Sequence, residues 1–162
     1  MQTTPVAAAA KQAMPTAVFG FRLDDTSLQG QVQGPRHDEQ QRLRMLNTQL
    51  ADLLAKSGCC TIVPLGAVAQ EAEGRNLQAC GGCDADMARQ VGACLAVSGW
   101  VQKVSSLILN INLVARDVDS GKVISAGSVD IRGNTDESWS RGLKFLLQDR
   151  IHPSSWEGCS AR

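Results

Sequence analysis

Residues 95–132 read LAVSGWVQKVSSLILNINLVARDVDSGKVISAGSVDIR, and this stretch decides the fold. Leu95–Val104 and Leu107–Val118 are runs of the apolar and β-branched residues that favour strands. Asp119-Ser120-Gly121-Lys122 is a turn, and Val123–Arg132 is a third strand. Strands this close in sequence are joined as hairpins, which are antiparallel. The expectation is a three-stranded antiparallel meander.

Side chains alternate between the two faces of a strand. In the middle strand Leu107, Leu109, Ile111, Leu113 and Ala115 point one way. Asn110, Asn112 and Arg116 point the other way, interrupted by Ile108 and Val114. The first strand puts Ser98, Trp100 and Gln102 on one face, and the third does the same with Ser128, Asp130 and Arg132. If the register aligns these sets, one face of the meander is polar and carries a Trp. Asn disfavours strands, so two in one strand ask for a reason. A solvated sheet face is the plain explanation. A surface for a ligand or partner, built from Trp100, Gln102, Asn110, Asn112, Asp130 and Arg132, is the functional one.

Upstream of the meander the pattern is β-α-β. Ala17–Phe21 reads as a buried strand that runs into Asp24-Asp25, and Ser27–Arg36 reads as a loop with Gly30, Gly34 and Pro35. A strong helix follows, with Asp38 and Gln41 as a capping box. Its Leu43, Leu46, Leu50, Leu53 and Leu54 fall on one face, and Gly58 suits the left-handed exit. Thr61–Val63 is a strand stopped by Pro64, parallel to the first because the helix between them is long enough for a crossover. Ala67–Glu73 and Asp84–Val91 are short helices, and a last helix begins at Thr135 or Asp136 and buries Trp139, Leu143, Leu146 and Leu147. The order β-α-β-(α)-α-β-β-β-α predicts an α/β (α+β) fold, a mixed sheet with helices packed on it. Residues 16–152 are read as the single domain, with 1–15 a loose tail and 153–162 a mobile one.

The composition excludes several functions. Sixteen basic residues balance sixteen acidic ones, so no whole-protein field favours nucleic acid or anionic membrane. With no Tyr and three each of Phe and Trp, stacking platforms for single strands are scarce. No apolar run is long enough for a membrane span. His37 and His152 come with no nucleophile motif, and neither a dinucleotide fingerprint nor a phosphate-binding Lys loop is present. Asp24-Asp25 lies where open α/β sheets bind ligands, while a turn explains Asp117 and Asp119. Catalytic residues are not assigned, and nothing marks a tightly bound cofactor.

Cys80-Gly-Gly-Cys83 is the most distinctive local motif. Its spacing lets two sulfurs meet, and the helix that follows would lower a thiol pKa. Asp84 and Asp86 in that helix's first turn oppose a thiolate, and no strand leads directly into the motif. A structural disulfide is therefore favoured over redox activity or a metal site. Zinc would need two more ligands, for which only Cys59-Cys60 is at hand, and haem attachment fails because Asp84 stands where that motif needs His. Cys94 reads as a buried small hydrophobe. Six cysteines allow fifteen pairings, and sequence does not choose among them. The count suits an oxidising compartment. Pro5-Val6-Ala7-Ala8-Ala9-Ala10 looks like the small-residue end of a secretory signal, and otherwise is an Ala-rich flexible end.

Gly99–Asn110, Ile131–Trp139 and the Cys80–Cys83 turn resemble a family of small exported bacterial proteins with no established activity, over roughly residues 16–150. Genes of that family tend to lie near quinoprotein alcohol dehydrogenase systems, including those of methylotrophs. The resemblance implies a periplasmic location and a link to alcohol oxidation dependent on pyrroloquinoline quinone. The element order also resembles the amino-terminal domain of TolB. The expected function is a non-enzymatic periplasmic domain that binds a protein or small ligand through the meander face and the Cys80–Cys83 loop. The alternatives are a thiol–disulfide or metal-handling protein acting through Cys80 and Cys83, and a structural homo-oligomeric subunit.

Overall fold

The structure is a computed structural model that describes residues 12–159. The proposed leader remnant at residues 5–10 lies outside the described residues. Strand β1 (Met14–Asp25) leads through α1 (Leu28–Gln33) and α2 (His37–Lys56) to β2 (Cys60–Ile62). A 3-10 turn (Gly66–Val68), α3 (Ala69–Glu73) and α4 (Cys83–Gln90) follow. Then come β3 (Leu95–Lys103), β4 (Leu109–Asp117), β5 (Val123–Ile131) and α5 (Asp136–Phe145). A wider helical turn, Leu146–Ile151, completes the set of main elements. The five strands form one mixed sheet in the order β2-β1-β3-β4-β5. β1 runs parallel to both β2 and β3, and β3-β4-β5 is the antiparallel meander expected from residues 95–132.

One face of the sheet carries the main core. Leu43, Leu46, Leu50 and Leu54 of α2 pack on Val97, Val101, Ile111 and Leu113, and α5 adds Trp139 and Leu143. Burying each such side chain stabilises by about 1.5–3 kcal/mol. The second face is covered only at one end, where Ala88 of α4 meets Ala17, Ala93, Ala96 and Val118. Ala96 shares its phase with Ser98 and Trp100, so the helix layer stops partway along β3. The remainder of that face is open. No helix among the described residues is long and apolar enough to cross a membrane.

Four local expectations are corrected. Residues 28–33, read as loop, form α1, because the Ser27 hydroxyl accepts from the Gly30 N–H at 3.0 Å and caps the turn. With only Leu28 and Val32 at helical spacing, six residues are too few for a periodic signal to outweigh Gly30, Gly34 and Pro35. Helix α2 begins one residue before Asp38, with Arg36 at the N-cap and no side-chain cap. Asp38 instead binds Arg36 and Arg42. Strand β1 starts at Met14, which is buried, and runs to Asp25. Residues 153–159, set apart as a tail, are placed against the sheet: Pro153 and Trp156 are buried, and Cys159 lies at disulfide distance from Cys94.

Candidate functional site

The register of the meander brings the predicted polar residues together. Trp100 is opposite Asn112, Gln102 is opposite Asn110, and Asn110 is in turn opposite Asp130. Asn112 donates its amide to Asn110 Oδ1, and Asn110 donates to Asp130 Oδ1 at 2.7 Å. Asn112 is therefore satisfied along β4 by Asn110, and Asn110 across the strands by Asp130. This hydrogen-bonded row fixes amide donors and acceptors beside the half-buried Trp100 indole. Asp130 and Arg132 stand exposed at its end. A fixed row of amides beside an indole can recognise a polar chain, such as a peptide backbone, in one orientation.

The β3–β4 connection adds an apolar tip that the sequence reading did not single out. Val104, Leu107 and Ile108 are 48%, 72% and 57% exposed, and Leu28 and Val32 of α1 are each 76% exposed. Ser106 Oγ, 3.3 Å from Gln29 Oε1, ties the loop to α1. Exposed large apolar residues scattered singly are ordinary, but Val104, Leu107 and Ile108 fall within one short connection. Val104 and Ile108 extend the pairing of Gln102 with Asn110 and so continue the open face, whereas α1 is tied to the Lys103 side of the sheet.

Behind this end of the sheet lies a buried ionic cluster. Lys103 and Glu39 are both fully buried, with Nζ 2.9 Å from Glu39 Oε2. Lys103 Nζ also donates to Gln29 Oε1 at 3.1 Å and lies 3.7 Å from Asp25 Oδ2. Asn134 donates to Glu39 Oε2 at 2.9 Å and accepts from the Trp139 indole N–H at 3.0 Å. The network locks α1, α2, β3 and the start of α5 to one another. One signal for it was legible: Lys103 falls on the inward phase of an otherwise apolar strand.

Burial pushes the Asp25 carboxyl up, but hydrogen bonds from the Ser27 side chain and backbone, with the Lys103 charge, hold it below the usual range. Asp38 is likewise raised by burial and more strongly lowered by Arg36 and Arg42. A carboxylate lowered in the folded state contributes stability above its unfolded pKa and loses it as pH falls through the folded value. The melting temperature should hold down to about pH 5 and drop below about pH 4, where ordinary carboxylates begin to protonate. Asp25→Asn should flatten that drop, as read by thermal unfolding across pH.

The cysteines lie in three pairs at disulfide distance: Cys59 with Cys60, Cys80 with Cys83, and Cys94 with Cys159. Cys83 opens α4 and is buried, and the left-handed Gly82 (φ 95°) makes the turn into it. Asp84 beside it is buried and accepts from Arg116 Nε at 3.1 Å. Its charge holds α4 on β4, which gives the acidic first turn a structural purpose. Arg116 and Asn110 sit at opposite ends of β4, about 20 Å apart at the rise of a strand. The structure therefore does not join the Cys80–Cys83 loop to the polar row.

The family model described as "Protein of unknown function (DUF2380)", DUF3280, matches residues 14–151. The chain belongs to the DUF3280 family. The DUF3280 match runs from the first residue of β1 to the turn after α5, so it takes in the whole sheet and every helix that covers it. No curated protein matches the sequence. Among solved structures, the LpoB C-terminal domain from Salmonella enterica is similar at TM-score 0.55 and 16% identity, over 76% of this chain and 86% of that one. Lipoprotein GNA1162 from Neisseria meningitidis is similar at TM-score 0.52 and 17% identity, over 83% and 91%. The PelC dodecamer from Paraburkholderia phytofirmans is similar at TM-score 0.53 and 14% identity, over 93% of each chain. At such identities the likeness shows the fold. The expected likeness to TolB is found at TM-score 0.49, too loose to carry argument.

Proposed function

We propose that this DUF3280 chain is a non-enzymatic interaction domain of an exported protein, docking a protein partner through the open meander face and the apolar tip continuous with it. The observation that carries this reading is the alignment of Trp100, Asn112, Asn110 and Asp130 into one hydrogen-bonded row that leads into the exposed apolar Val104, Leu107 and Ile108 of the β3–β4 connection. An aromatic residue among fixed amides with an apolar margin is the make-up of a docking surface. The similar fold of a lipoprotein supports the exported setting, and the three cysteine pairs at disulfide distance suit an oxidising compartment.

The test is site-specific photocrosslinking in cells. A photoreactive residue at Trp100 or at Leu107 should trap the same partner, and one at Lys144, on the far side of α5, should not. Equal trapping at Lys144, or different partners at the two test positions, would count against the reading. The resemblance quoted from the sequence would make such a partner a component of quinone-dependent alcohol oxidation. Calorimetry with pyrroloquinoline quinone and with a quinoprotein dehydrogenase examines that finer step separately.

A further inference from the structure

The sheet is unfinished at its other side. β2 pairs with β1 only at Met14–Thr16, and the chain then leaves the sheet at Pro64. From Val18 to Leu23 the outer edge of β1 has no strand partner among the described residues. Phe21 N–H points that way and is held at 2.7 Å by Asn47 Oδ1 from α2. By alternation, the backbone N–H and C=O of Leu23 face the same side. A bulge between Val18 and Gly20 precedes this segment, and Gly20 at φ 78° lets Asn47 lie against the backbone. A free edge of this kind is normally covered or charged, because it is a template for another strand.

Here the edge is the floor of a cleft of about 1150 Å³, occupying the place a longer β2 would fill. Leu43, Arg44 and Asn47 of α2 form one wall; Pro64, Leu65 and Leu77 form the other. The charges on it are unbalanced. Arg75 is paired with Glu71 at 3.1 Å, and Glu73 is the acidic side chain among the lining residues. Arg22 and Arg44, at the two sides of the edge, make no ion pair among the described residues.

We infer that this cleft binds an extended acidic peptide segment of a partner protein, added as a strand along Val18–Leu23. Backbone hydrogen bonds at Val18 and Leu23, and at Phe21 once the peptide displaces the Asn47 side chain from its N–H, would supply the affinity, and Arg22 and Arg44 would select carboxylates. This surface is separate from the meander face, and each stands or falls without the other.

The test uses the intact chain and three synthetic hexapeptides: acetyl-Val-Glu-Val-Asp-Val-Glu-amide, its counterpart with Lys at every acidic position, and the acidic peptide N-methylated at alternate amides. Fluorescence anisotropy at about 0.15 M salt should rank the acidic peptide at least about tenfold tighter than the other two. Hydrogen exchange should slow at Val18 and Leu23 on adding the acidic peptide, and stay unchanged in the meander. Arg44→Glu, an exposed-charge reversal on α2, should lower affinity for the acidic peptide and raise it for the basic one. Equal binding of acidic and basic peptides, binding that survives N-methylation, or protection that falls outside β1 would each overturn the inference.

Discussion

Lys103→Ala should destabilise the fold by about 3–5 kcal/mol, the range for removing one partner of a buried ion pair. The reason is what remains. Glu39 is fully buried, with Lys103 Nζ at 2.9 Å, and the nearest other cation is Arg36, with Nε 3.9 Å away. Without the ammonium, Asn134 is left as the hydrogen-bond donor to Glu39 Oε2. In a domain of this size each kcal/mol moves the melting temperature by about 2–4 °C, so a fall of about 10 °C is expected. The double variant Lys103→Met with Glu39→Gln leaves no uncompensated charge. It should cost less than Lys103→Met alone, because desolvating two charges offsets most of their attraction. A single-variant loss under about 1 kcal/mol, the range of an exposed pair, would show that water reaches the cluster.

That cluster also marks where sequence reading stops. The meander was legible because alternation and a turn signal are local. The polar row was legible in part: phase put Trp100 on one face of its strand and Asn110 with Asn112 on one face of theirs, but only the register shows that Trp100 meets Asn112 and that Asn110 bonds Asp130. The pair Lys103 and Glu39 comes from elements 64 residues apart, and no local pattern links them. Glu39 sits beside Asp38 in a first turn where acidic residues are explained by the helix dipole. Helix α1 was hidden because Leu28 and Val32 make a single helical repeat among Gly30, Gly34 and Pro35, which read as breakers. The open edge of β1 could not be read at all. It depends on how far β2 follows β1, and Pro64 told only where β2 ends.

Gly99→Ala should be nearly as damaging, at roughly 3 kcal/mol, the upper part of the range for overpacking a core. Gly99 has ordinary strand geometry, so the demand is for space. A Cβ there would strike the buried Phe21 ring and come within 2.5 Å of the Asn112 carbonyl oxygen. The ring can turn only by disturbing the α2 core, and the carbonyl belongs to the strand next door, which can move only as a strand. The two obstacles can be separated. Phe21→Leu in the Gly99→Ala background should recover part of the loss, because it relieves the ring. The remainder should persist, because the contact with Asn112 is with backbone. Full recovery would mean that β4 yields easily at this point. The lesion also bears on the proposed function: Asn112 is the residue opposite Trp100, so displacing β4 at Asn112 shifts the polar row against the indole. Trp fluorescence of a folded Gly99→Ala sample should therefore change, and crosslinking through Trp100 should weaken more than crosslinking through Leu107, which lies beyond the disturbed pairing.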